Sequence, residues 1–348
     1  MLPTDSFWQG KRVLLTGHTG FKGSWLSLWL SQLGAQITGV ALPPATKSNL
    51  YQLAHVDKTL DSYYCDIRVE KALVPIVRTV LPDIVFHLAA QPLVRASYRA
   101  PIDTLGTNIM GTAHLLEALR EIHSVRVIVV VTTDKVYKTV GASAVYGEHD
   151  PLGGHDPYSA SKAACEMVTE SYRTSFFESR GVAVATARAG NVLGGGDWSA
   201  DRLIPDAIRA WRAGLALHVR RPNAVRPWQH VLEPLAGYMS LAEKLWEHPS
   251  CAGAYNFGPL AHEAATVREV VELARSAYGR GEVVYGTGDD GPREEDSLRL
   301  DVEKARTVLD VVPRWPLAAA VGRTMRWYRG HANAKDARAL CDADIAAW

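Results

Sequence analysis

The chain has 348 residues, 47% hydrophobic and 22% charged, a composition that excludes a disordered protein and supplies core for one large or two modest domains. Lys plus Arg total 38 against 37 for Asp plus Glu, so no net field favours nucleic acid or a membrane surface as partner. The four cysteines (Cys65, Cys165, Cys251, Cys341) match no zinc or redox spacing, and no stretch reaches signal-peptide or bilayer-spanning length. A cytoplasmic protein with reduced thiols and no metal site is expected.

Strand-like and helix-like segments alternate through the first half. "RVLLTG" is a short apolar run ending at Gly17, and "SWLSLWLSQLG" has helical spacing, with Trp25, Leu28, Trp29 and Leu33 on one side and Gly34 as its stop. "AQITGVAL" reads as the next strand, broken by Pro43 and Pro44. "SYYCDI", "DIVFHLAA" and "VRVIVVVTT" read as further strands, with "TNIMGTAHLLEALREI" as a helix between the last two. A helical stretch from Tyr158 to about Glu178 precedes the strand "GVAVATARAG". Near-continuous Val/Ile runs separated by helices predict an α/β, doubly wound parallel (Rossmann) sheet covered on both faces. The expected organisation is a dinucleotide-binding domain over 1–190, with a return strand near 252–258. Residues 191–348, rich in glycine, arginine and proline loops, form a smaller region capping the crevice at the strand ends.

"TGHTGFKG" sets Gly17, Gly20 and Gly23 between a strand and a helix, a turn that lets a pyrophosphate approach backbone N–H groups at a helix N-terminus. The second strand ends in "VALPP", with no acid for the adenosine ribose and no arginine for a 2′-phosphate, which favours NAD over NADP. Asp66 and Ile67 are expected to end the third strand, where the carboxylate can accept from the adenine amino group or simply cap the next helix. In "DPYSASK", Tyr158 and Lys162 lie four residues apart on one helix face, behind an Asp156 cap and Pro157. An adjacent ammonium is expected to lower the phenol's pKa of about 10 so that it serves as a base. "VTTDKVY" puts two hydroxyls, a carboxylate and an ammonium at the end of a buried strand, either an ordinary turn or a catalytic row.

These stretches, with "GHTGFKGSWL", "HLAAQPLVRASY", "RAGNVLGGGDW" and "RPNAVRPWQHVLEPL", resemble the nucleotide-sugar 4,6-dehydratases of the extended short-chain dehydrogenase/reductase family over essentially the whole chain. The similarity narrows to the branch acting on CDP-glucose. The resemblance implies NAD-dependent oxidation at C4 of the hexose, loss of water across C5–C6 and return of hydride to C6. Tyr158, helped by Lys162 and Thr133, would deprotonate the C4 hydroxyl. Asp134 would be the acid at the C6 hydroxyl, and Lys135 stands in the base position, where the dTDP-glucose branch has glutamate and the CDP-glucose branch lysine. For Lys135 to act as a base at neutral pH its cation must be destabilised by roughly 4 kcal/mol; otherwise it stays charged and steadies the enolate. A proton shared between Asp134 and Lys135 is the preferred reading.

Carried over by motif, His18, Phe21, Lys22, Leu88, Ala89, Ala90 and Thr107 are expected cofactor contacts, with Gly17, Gly20, Gly23, Asp66, Ile67, Tyr158 and Lys162. Gln91, Arg95, Asn191, Arg202, Arg220 and Arg226 are expected substrate contacts, guanidinium groups suiting a pyrophosphate. Asn108, Trp228 and His230 are read as bracing and packing residues. A homodimer or homotetramer is the family habit. Two stretches depart from it: 138–149, "KTVGASAVYGEH", lacks the usual Asn and Trp, and "GPREEDSLRLD" lacks a histidine before its acid. A 4-epimerase would share the fold, Tyr158 and Lys162 but not need the Asp134–Lys135 pair. A non-catalytic dinucleotide-binding regulator would typically have lost Tyr158 or Lys162.

Overall fold

The computed structural model describes residues 3–139, 141, 144–287 and 297–348. Val140, Ala142 and Ser143 of the first divergent stretch, and 291–296 of the second, lie outside the described residues. Seven strands form the central sheet: β1 (Arg12–Thr16), β2 (Gln36–Ala41), β3 (Asp61–Tyr64), β4 (Ile84–His87), β5 (Val127–Val131), β6 (Ala183–Ala189) and β7 (Ala254–Phe257). Their order is β7-β6-β5-β4-β1-β2-β3, and every pairing is parallel. The winding reverses between β1 and β4, which opens a crevice beyond their C-terminal ends. The doubly wound parallel fold expected from the Val/Ile runs is the fold observed.

Those runs form buried strands because alternate side chains enter two separate cores. Val13, Leu15, Ile84, Phe86, Val127 and Val129 join the apolar layer on one face. Leu14, Val85, Ile128, Val130 and Val184 join the layer on the other. β3 is the exception, an exposed edge strand. It stops at Tyr64, so Asp66 and Ile67 lie just beyond it rather than within it.

Helix α1 (Phe21–Gln32) follows the glycine loop. The sequence suggested one apolar side, yet Gly23 to Leu30 are all buried. More than the sheet packs on this helix: Trp29 meets the ring of Trp348 edge-on at 5.1 Å, and Trp25 Nε1 donates to Gly195 O at 3.0 Å. Helices α2 (Glu70–Val80), α3 (Gly111–Leu119) and α4 (Pro157–Tyr172) follow. Asp156 caps α4 by accepting from Ser159 N, with Pro157 at its first position. Beyond β6 come α5 (Leu203–Arg212), α6 (Leu232–Glu247), α7 (Val267–Tyr278), α8 (Leu317–Ala332) and α9 (Ala337–Ala347). Residues 232–257 thus return to the sheet as α6 and β7, while the loops around them overhang the crevice. No described helix is long and apolar enough to cross a membrane.

His87 ends β4 and ties three elements together: Nδ1 lies 2.7 Å from Thr16 Oγ1 and Nε2 2.9 Å from Thr112 Oγ1. Burial holds its pKa down to about 3. The unfolded chain therefore takes up this proton as pH falls below about 6.5 while the folded chain does not, so stability from this site is present above that pH and lost below it. Chemical denaturation of wild type and His87→Asn should show the wild-type advantage shrinking by ~2 kcal/mol between pH 7 and pH 5. An equal gap at both pH values would contradict this origin of acid sensitivity.

Candidate active site

A cleft of about 1390 Å³ lies at the C-terminal strand ends. Gly17 stands at φ +80°, and a Cβ there would be 2.7 Å from Ala89 N. A Cβ on Gly23 would sit 2.1 Å from Gly17 O, so the loop closes against α1 only with glycine. Gly20 caps α1 without a side-chain bond, leaving the first helical turn open to an anion. Gly17, Gly20, Phe21, Lys22 and Gly23 line the cleft, as do Asp66, Ile67, Leu88, Ala89, Ala90 and Thr107. This cradle fits a dinucleotide pyrophosphate, and these residues would hold it.

Two residues expected at the ligands turn elsewhere. His18 is buried behind the loop, where its Nε2 lies 2.7 Å from Ser62 Oγ and its ring meets Tyr51 edge-on. It braces the sheet and is not among the residues that line the cleft. Gln91 donates to Leu93 O and Thr104 Oγ1 and accepts from Leu93 N, so its amide shapes the turn after β4 and does not line the cleft. Asp66 does line it, but its carboxylate is clamped by Arg68 at 2.7 Å, which holds the carboxyl below its usual range.

The "VTTDKVY" row is built where β5 ends. Thr133 caps a single 3₁₀ turn, Asp134–Val136, and this turn swings the next two side chains into the cleft. Thr133 Oγ1 donates to Asp134 Oδ1 at 2.9 Å, and Lys135 Nζ reaches the same oxygen at 3.1 Å. Asp134 is fully buried, and its Oδ2 makes no hydrogen bond among the described residues. Tyr158 comes from the first turn of α4, and its hydroxyl faces Thr133. Lys162, one turn on, donates to Val131 O at 3.1 Å.

The expected lowering of the Tyr158 phenol does not appear. Burial pushes it up to about 12, against the nearby Thr133 hydroxyl; the Asp134 charge adds to the rise and Arg202 opposes it. Desolvation outweighs the cations because the phenol lies at the floor of the cleft while Lys162 points to a backbone carbonyl. Burial also lowers the Lys162 ammonium. Lys22 extends to the same end of the cleft: its Nζ is 3.4 Å from the hydroxyl of fully buried Tyr238. Burial, then Arg202, Lys162 and Lys135, bring it to about 7, with Asp134 resisting.

Asn191, Arg95, Arg202, Arg220 and Arg226 all line the cleft as well. Arg202 is held by Asp197 at 2.9 Å, and Arg95 approaches Asp201 at 3.9 Å across the mouth. Asn191 Oδ1 is buried and makes no hydrogen bond among the described residues, so it can accept from a ligand. Trp228 and His230 are buried packing residues, with Trp228 also on the wall. Asn108 braces β4 to α4 through Gln91 and Ser161.

The sequence reading overlooked the wall formed by Leu42, Thr46 and Asn49, which carries no charge to signal it. It also overlooked Glu166 and Arg188, a buried ion pair at 2.8 Å directly behind the site. A signal existed there: Glu166 continues the Tyr158–Lys162 spacing, and Arg188 interrupts an otherwise apolar strand.

Residues 14–324 match the family model described as GDP-mannose 4,6 dehydratase. CDP-glucose 4,6-dehydratase of Salmonella typhimurium strain LT2 is 43% identical over 337 residues, 95% of this chain and 94% of that one. UDP-glucose 4-epimerase of Halalkalibacterium halodurans is 28% identical over 335 residues, 92% of this chain and 96% of that one. The solved structure of MoeE5 in complex with UDP-glucose and NAD has a TM-score of 0.78 at 26% identity, covering 92% of this chain and 99% of that one. Full-length similarity of this strength, on a chain whose glycine cradle and Tyr158–Lys162 helix open into one cleft, shows that the protein belongs to the nucleotide-sugar 4,6-dehydratase family.

Proposed function

We propose that the protein is a hydro-lyase that converts CDP-D-glucose to CDP-4-dehydro-6-deoxy-D-glucose with NAD as a recycled cofactor. The observation that carries this reading is the contact of Asp134 with Lys135 at 3.1 Å beside the Tyr158–Thr133 pair. Epimerisation at C4 needs only the tyrosine and lysine of α4. Elimination across C5–C6 needs, in addition, a proton acceptor for C5 and a proton donor for C6 on one rigid edge, and Lys135 and Asp134 on the 3₁₀ turn would serve as the two.

NAD, when bound, accepts hydride from C4 and returns it to C6. Every other step belongs to the chain's own side chains. Tyr158 takes the C4 hydroxyl proton. The 4-ketone acidifies C5, whose proton passes to Lys135, while Asp134 protonates the departing C6 hydroxyl. A proton shared through Asp134 Oδ1 reconciles an acid with an ammonium beside it. Arg95, Arg202, Arg220 and Arg226 would hold the pyrophosphate, with 191–348 as the substrate-binding region on the 1–190 dinucleotide-binding half. The lysine at position 135 and the 43% identical CDP-glucose relative support the CDP-sugar assignment. Such an enzyme of nucleotide-sugar metabolism would act in the cytoplasm as a homodimer or homotetramer, without nucleic acid or membrane partners.

Incubation with CDP-glucose deuterated at C4 should yield a 6-deoxy-4-ketosugar carrying deuterium at C6. Deuterium retained at C4 of an inverted sugar would establish an epimerase, and no turnover with any CDP-, dTDP-, GDP- or UDP-sugar would point to a regulator. Replacing Lys135 by Met should slow the elimination by roughly 10²–10⁴ while C4 oxidation continues. Reduced cofactor then accumulates during single turnover. Its pH–rate profile should also change shape; an unchanged profile would argue against the shared proton.

A further inference from the structure

Four buried side chains behind the cleft take no part in the chemistry described so far: Thr16, His87, Thr112 and Cys165. They meet in an unbroken row. Thr16 Oγ1 lies 2.7 Å from His87 Nδ1, His87 Nε2 lies 2.9 Å from Thr112 Oγ1, and Thr112 Oγ1 lies 3.3 Å from Cys165 Sγ. The row starts at the end of β1, directly before Gly17, and finishes on α4, three residues past Lys162. It joins the phosphate cradle to the catalytic helix through a single imidazole.

Each hydrogen in the row has one place. The Asn108 carbonyl can only accept, so Thr112, 2.6 Å away, directs its hydroxyl hydrogen there. Thr112 Oγ1 is then an acceptor toward its other neighbours, and His87 Nε2 carries the hydrogen that reaches it. Burial holds the imidazole neutral, so it has one hydrogen only and Nδ1 is an acceptor. At the other end Ala89 N donates to Thr16 Oγ1 at 3.1 Å, which leaves the Thr16 hydrogen for Nδ1. A single tautomer serves both ends.

Both ends also stand beside residues of the site. Gly17 and Ala89 line the cleft, and they pass so close that a Cβ on Gly17 would lie 2.7 Å from Ala89 N. On the helix side Cys165 is one anchor and Ser161 is a second, because Asn108 Nδ2 donates to Ser161 Oγ at 2.8 Å. Lys162 lies between the two.

We propose that His87 is a positioning residue that sets the cofactor cradle against the catalytic helix, each ring nitrogen serving one side. Nδ1, through Thr16, fixes the cradle. Nε2, through Thr112, fixes the stretch of α4 that carries Tyr158 and Lys162. His87 is not among the residues that line the cleft, so it acts only through these neighbours. The cradle half needs no ligand but NAD; the helix half rests on the C4 oxidation of the reading above.

The two sides separate experimentally because each ends on its own threonine. Thr16→Val should raise the NAD dissociation constant about tenfold in calorimetric titration. At saturating NAD it should form reduced cofactor from CDP-glucose, in single turnover, within about twofold of the wild-type rate. Thr112→Val should do the reverse, slowing that rate about tenfold while NAD binds within about twofold of wild type. Thr16→Ser and Thr112→Ser, which keep the hydroxyl, should each restore most of the loss. His87→Leu should show both losses together; should it fail to fold, the threonine pair decides alone. Equal losses in the two measurements for both valine variants would mark a structural brace and overturn the assignment, as would unchanged binding in Thr16→Val. If wild type forms no reduced cofactor from CDP-glucose, the C4-oxidation reading falls by itself and the NAD constants decide the role of His87. Weaker binding in Thr16→Val with normal binding in Thr112→Val then supports it, and any other pair overturns it.

Discussion

The carboxylate of Glu166, buried behind the cleft, is the interaction on which the catalytic geometry hangs. It accepts from the hydroxyls of Thr132 and Thr186 and from Arg188 Nη2. Three elements meet in that one group: α4, which carries Tyr158 and Lys162; the end of β5, which leads into the Thr133–Lys135 turn; and β6. Arg188 passes the connection on, donating to Tyr137 OH and Glu148 O, and Tyr137 donates to Asn256 on β7. Removing one partner of a buried pair leaves the other charged and uncompensated, at a cost of about 3–5 kcal/mol. The register of α4 against the catalytic turn is therefore held from beneath, and the residues that meet ligands are free to face the cleft.

Above this anchor, cationic side chains crowd the floor of the site. Lys22, Lys135, Lys162 and Arg202 all act on the same region, and Asp134 sits among them. In a low-dielectric floor their charges do not cancel at leisure. Burial raises the tyrosine and lowers two of the lysines, so protons are held on oxygen more tightly and on nitrogen less tightly than in water.

Much of the fold was legible from local pattern. β1, β4 and β5 are largely apolar on both faces, and a strand buried on both faces shows as a near-continuous apolar run. The glycine loop was legible because Gly17 and Gly23 answer to steric demands that no other residue meets. Asp156 and Pro157 marked the start of α4 through cap chemistry that acts within four residues. What misled was non-local. Trp29 and Leu33 looked like one side of an amphipathic helix, since nothing near them announces that Trp348, at the far end of the chain, packs against Trp29. His18 sits inside the cofactor motif, yet its side chain bonds Ser62, 44 residues away. Gln91 lies in a stretch similar to the family pattern, yet its amide closes a turn.

The sequence by itself determined the parallel sheet, the phosphate cradle and the identities of the groups able to do chemistry, because each depends on residue type and short-range spacing. Only the tertiary structure decided how those groups stand toward one another. It turned the end of "VTTDKVY" into a 3₁₀ turn, set Thr133 and Lys135 on one oxygen of Asp134, brought Lys22 to the catalytic floor and buried Glu166 against Arg188. It also overrode the expectation of an acidic phenol. Spacing predicts which charge is near a tyrosine, but desolvation depends on everything else that surrounds it, and here desolvation is the larger effect.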